Sequence, residues 1–399
     1  MKWASAVSTE REITSAITEL KRELTRQQGN RHADLVVAFV TPHFEEELSK
    51  LPQLIANQFA AKTFIGCTAM GVIGGGYELE DVPAIAITVA NLPGVDIKTF
   101  YLEAGNLPDP DSGPENWIQA LGVDVQPTPH FMILTDPSGA ETFDPRSLLM
   151  GLDFAYPDAS KIGGLASSLQ GNRLFLNNDI HQGGCIGIAL QGNLVVDTVV
   201  AQGCRAIGEP MTVTGCSGYF LSELDGRSAI EALVDIYQKL GQEDQELLRR
   251  ALHVGIASTE LKGKLEHGDY LIRNVMQLDH EKGTIAVGDT LRSGQTVCFH
   301  LRDSAAARED LALMLERYHH ENETAQPSGA LLFSCNGRGE AFFGSPNHDS
   351  QQFMNSMGDI PVGGFFCGGE IGQVGGSTYL HGYTSAFAIY RSQDNSEER

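Results

Sequence analysis

Ile13, Ala16, Ile17, Leu20 and Leu24 recur every three or four positions near the start of the chain, which places them on one stripe of a helix. Thr9 and Glu12 have the spacing of a capping box and predict where that helix opens. Residues 1–29 are thus expected to be an N-terminal helix packed on the first domain. The period then changes. "DLVVAFVT" is a short apolar run, and Leu48, Leu51, Ile55 and Phe59 restore helical spacing in "FEEELSKLPQLIANQF", where Pro52 predicts a break and a fresh start. "TFIGCTAMGVIGGG" and "PAIAITVA" follow as strands.

The same order of elements comes twice more. "HFMILTD", "DPRSLLMGLDFAY", "KIGGLASSLQG" and "GCIGIALQG" form a second strand–helix–strand–strand unit. "GALLFSCNG", "SQQFMNSM", "VGGFFCGGEIG" and "TSAFAIY" form a third. First strand to glycine turn takes 31 residues from Leu35 to Gly66, and 33 from His130 to Gly163 and from Ala330 to Gly363. That regularity predicts an internal structural repeat.

Between the second and third units the pattern differs. "NLVVDTVVAQGCRAIG" and "MTVTGCSGYFLSELDG" alternate like antiparallel neighbours, and Ile230, Leu233, Val234 and Tyr237 mark a helix. More strands and the helix "SAAAREDLALMLERYHH" lead into the third unit. The turn and cap residues of "SELDGRS" place a domain cut near Gly226, giving domains 30–225 and 226–391 and a polar, disordered tail at 392–399. "EAGNLPDPDSGPENW" reads as a surface loop. The fold class expected is α+β: two packed domains of repeated units, helices covering mainly antiparallel sheets, as in a layered sandwich.

Composition removes several function classes. The 399 residues carry 28 basic against 51 acidic side chains, a net charge of -23, with no basic stripe for nucleic acid or an anionic membrane. No apolar run reaches membrane-span length, and "MKWASAVSTERE" lacks a signal-peptide core. Seven scattered cysteines give neither a disulfide framework nor zinc spacing. The chain reads as cytoplasmic and reduced, with no metal and no cofactor, and homo-oligomerisation is compatible with it.

Candidate chemistry gathers where polar residues sit among glycines. There is no phosphate-loop, GxSxG or HExxH signature. Gly74, Gly75 and Gly76, ahead of Glu78, would suit amides aimed at an anion, and a tight turn explains them equally. Asn336, Arg338 and Glu340 lie in "SCNGRGEAFFG"; the arginine fork there would meet a ligand carboxylate or, structurally, Glu340 or Glu370. Arg205 is a second such fork with the same alternative. Cys367 or Cys67 among glycines could be a nucleophile, with His381 as partner to Cys367 and Glu370 orienting it, although buried cysteine is commonly a small hydrophobe. Taken alone, His381 beside a strand reads better as a satisfied core histidine bonding a strand carbonyl, and its neighbours Glu370 and Thr384 are what lift the functional reading. Glu370, His381 and Thr384 together form a polar edge suited to a small ligand.

These segments resemble FIST-domain proteins, N-terminal and C-terminal regions both. The likeness rests on "LVVAFVTPHFEEELSKLPQL", "FIGCTAMGVIGGGYELED", "GGLASS", "VVAQGCRAIGEP", "CNGRGEAFFG" and "GFFCGGEIGQVGGSTYLHGYTSAFAIY", spanning roughly residues 30 to 391. The resemblance implies a sensory role, with a small ligand such as an amino acid, and a free-standing chain implies a separate signalling-output protein. Gly368 and Gln373 stand where the family tends to have Asn and Pro, so ligand identity does not carry over. The expected contacts are Glu370, His381, Thr384, Arg338, Asn336, Arg205, Gly74, Gly75, Gly76 and Glu78. The rival readings are a cysteine hydrolase or acyl transferase using Cys367 or Cys67, and a protein-interaction scaffold.

Overall fold

The computed structural model describes residues 1–29, 31–109, 112–139, 142–259, 265 and 268–393. The chain is α+β and divides into two compact units. One comprises Met1–Val200, Leu311–Leu380 and Thr384–Arg399; the other comprises Ala201–Asp310 with His381–Tyr383.

The first strand lies where none was expected: β1 (Lys2–Ser8) precedes the helix. Trp3, Ala4 and Ala6 are buried along it, and the small residues and serines between them hide the strand signal. Helix α1 (Ile13–Gln28) buries the predicted stripe, but its cap is Glu12 alone, accepting from Thr14 N at 3.1 Å and Ser15 N at 2.7 Å. Thr9 lies too far upstream of Ile13 to serve. A 3₁₀ turn over Pro42–Lys50 then gives way to α2 (Leu51–Phe59) with Pro52 in its first turn, where a missing N–H costs nothing.

Strands β2 (Leu35–Val40), β3 (Thr63–Thr68), β4 (Gly71–Gly74), β5 (Tyr77–Glu80) and β6 (Ile85–Asn91) complete the first segment. The second holds β7 (Val95–Leu102), α3 (Pro114–Leu121), β8 (His130–Asp136), α4 (Pro145–Ala155), β9 (Lys161–Leu165), β10 (Leu174–Leu176), β11 (Asp179–His181) and β12 (Gly184–Gly192). Helix α3 begins inside the stretch read as a loop, over its last four residues; Pro114 starts it and wholly buried Trp117 anchors it.

After β13 (Val195–Ala201) comes the other compact unit, with β14 (Cys204–Ser217), β15 (Phe220–Leu224), β16 (Arg227–Ser228), α5 (Ala229–Lys239), α6 (Gln242–Ala251), β17 (Leu252–Ala257), β18 (Tyr270–Asp279), β19 (Thr284–Val287) and β20 (Thr296–Arg302). These strands run β14-β20-β17-β18-β19-β15-β16, and β15 pairs back onto β14, closing the sheet around Val213, Leu221, Val254, Ile285 and Phe299. The two strands expected as antiparallel neighbours are thus divided otherwise. Val195–Ala201 joins a sheet of the first unit, and Cys204–Ser217 is one strand whose Gly208-Glu209-Pro210 is taken up as a register shift rather than a turn.

Helix α7 (Ser304–Glu321) leads to β21 (Gly329–Cys335), α8 (Glu340–Phe343), α9 (His348–Met357), β22 (Val362–Cys367), β23 (Glu370–Val374), β24 (Ser377–His381) and β25 (Ser385–Arg391). The tail from residue 394 lies outside the described residues.

Within the larger unit, three six-stranded sheets of described residues run β1-β6-β2-β3-β10-β11, β7-β12-β8-β9-β23-β24 and β13-β25-β21-β22-β4-β5. Each centres on a parallel pair, β2/β3, β8/β9 or β21/β22, and each ends in a hairpin lent by another segment. Both faces of the central strands are buried, so they read as continuous apolar runs. Val37, Phe39, Met132, Leu134, Leu331 and Phe333 meet in a common core; Val36, Ala38 and Val40 pack on α1 and α2. Gly66, Gly163 and Gly364 face Ala38, Ile133 and Leu332, where an added Cβ would stand 1.8–2.0 Å from those carbonyl oxygens. In the third segment this is Gly364, one residue beyond the Gly363 that spacing selects.

Candidate functional site

In each of these sheets a buried polar side chain ties down an amide at the entry to a central strand. Thr41 Oγ1 accepts from Ala84 N at 2.9 Å, Asp136 Oδ2 from Gly183 N at 2.9 Å, and Glu370 Oε2 from Thr384 N at 3.1 Å. Thr384 Oγ1 adds a second bond to Glu370 Oε2 at 2.7 Å. Glu370 is wholly buried, and its Oε1 meets no N–H or O–H donor among the described residues. Burial pushes this carboxyl up to about 8, against the Thr384 bonds, the Arg338 charge and the Cys335 thiol, which all pull it down.

Arg338 is held in the loop after β21, where Asn336 N donates to Cys367 O at 3.0 Å and Arg338 N to Cys335 O at 2.8 Å. Its fully buried guanidinium forks onto Asp349, Nε to Oδ2 at 2.8 Å and Nη2 to Oδ1 at 3.0 Å. The fork is thus on Asp349, where Glu340 or Glu370 was expected, and the Arg338 charge also acts on Glu370. Sequence reasoning misses Asp349; it sits in the first turn of α9, eleven positions after the arginine, with only its acidic residue type at a helix start as a signal. His348 Nδ1 lies 2.9 Å from Asp349 Oδ1 and its ring stacks on Phe343 at 3.6 Å. Burial opposes the Asp349 charge, but Arg338 and His348 hold it far below the usual carboxylate range.

Glu78 completes this cluster from β5. Its Oε1 accepts from Ser350 N at 2.6 Å, and its own N–H donates to Asn347 Oδ1 at 2.7 Å. Burial and the neighbouring Asp349 charge push Glu78 up to about 7. Glu78 also lines an open cleft of about 490 Å³ with Tyr77, Glu80, Glu340 and Asn347. Glu80 Oε1 accepts from Glu340 N at 2.8 Å, a closeness that needs glycine at 339, whose Cβ would stand 2.0 Å from that carboxylate.

The other expected residues do not join this cluster. Gly74 is paired with Gly363 inside the sheet, and Gly75 and Gly76 form the two-residue turn of the β4–β5 hairpin, with φ of 58° and 83°. Both turn glycines line a different groove, of about 590 Å³, with Lys2, Trp3 and Arg26. Arg205 belongs to the smaller unit, ion-paired with Asp303 at 2.7 Å and with Asp244. His381 is buried at the end of β24 and groups with the smaller unit. Asn336 Oδ1 is buried with no hydrogen-bond partner among the described residues. The Cys67 and Cys367 side chains are wholly buried in the common core, and burial first of all raises both thiols well above their usual value. A nucleophile needs the opposite. Among the described residues no cluster of ligating side chains could hold a metal, and no helix is long and apolar enough to cross a membrane.

Residues 34–227 match the FIST N domain and residues 229–373 the FIST C domain. The chain belongs to the FIST family. An uncharacterized Mycobacterium tuberculosis protein is 33% identical to this FIST protein over 393 residues, covering 98% of this chain and 100% of its own. An F-box/LRR-repeat protein of Arabidopsis thaliana is 26% identical over 185 residues, 42% of this chain and 34% of its own. A solved cyanuric acid hydrolase from A. caulinodans aligns over 98% of this chain and 99% of its own at 10% identity; its TM-score of 0.29 carries no likeness of fold. FIST domains are associated with sensing in signal transduction. The family junction at 227–229 divides the sequence, whereas the compact units divide the packing, at residues 200 and 310.

Proposed function

We propose that this FIST protein is a cytoplasmic sensor of a small polar metabolite bearing an amine, amino acids included, which signals through a separate output protein. The supporting observation is Glu78: a buried carboxylate near 7, lining an open cleft and backed by Asp349 and Arg338. An ammonium group entering the cleft would favour the charged form of Glu78 and recover the cost of its burial. Arg338, Glu370 and Thr384 hold the loop and strand behind it, with Asn336 at their edge. The seven cysteines, none in a disulfide, suit a reducing compartment.

A thermal-shift screen of amino acids and simple amines tests this reading. A true ligand at 100 times its Kd adds about 2.7 kcal/mol. Its affinity should rise as pH increases through 7 and drop at least tenfold in Glu78→Gln. A panel of amines with no stabilising member, or a ligand indifferent to Glu78→Gln, would count against the cleft.

A further inference from the structure

The parallel pairing of β21 with β22 sets Cys335 directly against Cys367. Residues paired in this way present their side chains to one face of the sheet. Two positions back along the same strands, Phe333 and Phe365 meet edge to face at 5.8 Å. Adjacent strands lie about 4.8 Å apart, inside the roughly 4.4–6.8 Å between Cα atoms that a disulfide spans. Both residues are reduced thiols here. They differ in access: Cys367 is wholly buried, whereas Cys335 is half-buried at the start of the Arg338 loop.

We infer that Cys335 and Cys367 form an oxidation site that a hydroperoxide closes into a cross-strand disulfide. Cys335 is the less buried of the pair, and its sulfur is therefore the one assigned to meet the oxidant first. Its thiolate attacks a peroxide oxygen, the O–O bond breaks, and water or an alcohol leaves as Cys335 becomes a sulfenic acid. The Cys367 sulfur then displaces the hydroxyl; the S–S bond forms, the S–O bond breaks, and the Cys367 proton departs with the hydroxyl as water. The peroxide takes up the two electrons that the thiols lose. Paired parallel strands hold their side chains side by side rather than converging, so the bond is strained and thiols reverse it readily.

Closure would also reach the buried carboxyl. The Cys335 thiol is one of the groups pulling Glu370 down, and the disulfide removes it. This inference does not depend on the proposed ligand. Its rival is a Cys67–Cys367 bond, since Cys67 also lies near enough to Cys367 to act on its charge.

The full chain treated with hydrogen peroxide, quenched by alkylation and mapped by mass spectrometry without reduction decides between them. We expect the Cys335 and Cys367 peptides joined, lighter by two hydrogens, and released by dithiothreitol. Cys335→Ser should abolish the link and Cys67→Ser should keep it. Cys335 carried to sulfinic acid with no link, a link through Cys67, or no oxidation of Cys335 overturns the inference. The wild-type map alone separates these outcomes, even if a variant fails to fold.

Discussion

Asp136 and Glu370 do the same mechanical work in one sheet of the larger unit, each tying an amide at the entry to a central strand. Their surroundings give them different protonation states. Burial pushes Asp136 up, but Ser138 N and Asn172 Nδ2 on Oδ1, each at 2.9 Å, the Ser138 hydroxyl at 2.5 Å and Gly183 N on Oδ2 outweigh it and keep the carboxylate ionised below its usual value. Glu370 has the Thr384 N–H and O–H on one oxygen and a weak thiol donor, that of Cys335, and burial wins. Donors and depth together decide whether a buried carboxyl carries charge: Asp136 has more donors and lies less deep, Glu370 has fewer and is wholly buried. Asp349 supplies the third condition: buried like Glu370, ionised like Asp136, because a guanidinium lies across it.

The largest test removes that guanidinium. Arg338→Ala should cost about 3–5 kcal/mol, since it leaves Asp349 buried and uncompensated. Urea unfolding measures this, and pairing Arg338→Met with Asp349→Leu should recover most of the loss. A cost under about 1 kcal/mol would mean that Asp349 needs no cation, and that its likeness to Asp136 has another cause.

Next comes Asp136→Asn, expected to destabilise by about 2 kcal/mol at pH 7, because an amide nitrogen must then face one of the donor N–H groups. The stability that Asp136 contributes is present above the ordinary carboxylate range and disappears as pH falls through its lowered folded value.

Glu370→Gln is the smallest change and should have the opposite sign. Glu370 contributes stability fully present below about 4.5 and lost as pH rises toward about 8. At pH 7 linkage returns about 3 kcal/mol, an unpaired buried amide N–H takes back about 2, and Glu370→Gln should therefore stabilise by about 1 kcal/mol and flatten the decline between these limits. Equal signs for Asp136→Asn and Glu370→Gln in parallel pH-dependent melts would erase the comparison.

Part of this is legible in the residues. The apolar stripe of α1 and the two-faced run "LVVAFV" announce their elements because period and burial coincide. Glu370 and Thr384 stand out as polar groups among glycines, and they are in fact bonded. Arg338 is legible as a fork but its partner is not, since Asp349 is reached only once the loop has turned and α9 has begun. Strand β1 stays hidden because alanine and serine mask its alternation. The destination of "GVIGGGYELE" is also hidden, because a hairpin's own pattern does not state which sheet will accept it.

That last feature bears on how the chain acquires its structure. The hairpin at residues 71–80 is made early in synthesis, yet the strand that accepts it, Val362–Cys367, emerges almost three hundred residues later. Until then its outer edge is an unpaired row of amides and carbonyls, open to the wrong neighbour. The hairpin Leu174–His181 has no such wait, because its acceptor strand is already made. Folding should therefore finish with the C-terminal segment docking onto a long-exposed edge, a slow, non-local step. A ribosome stalled short of residue 362 would carry a nascent chain whose weakest point is that edge.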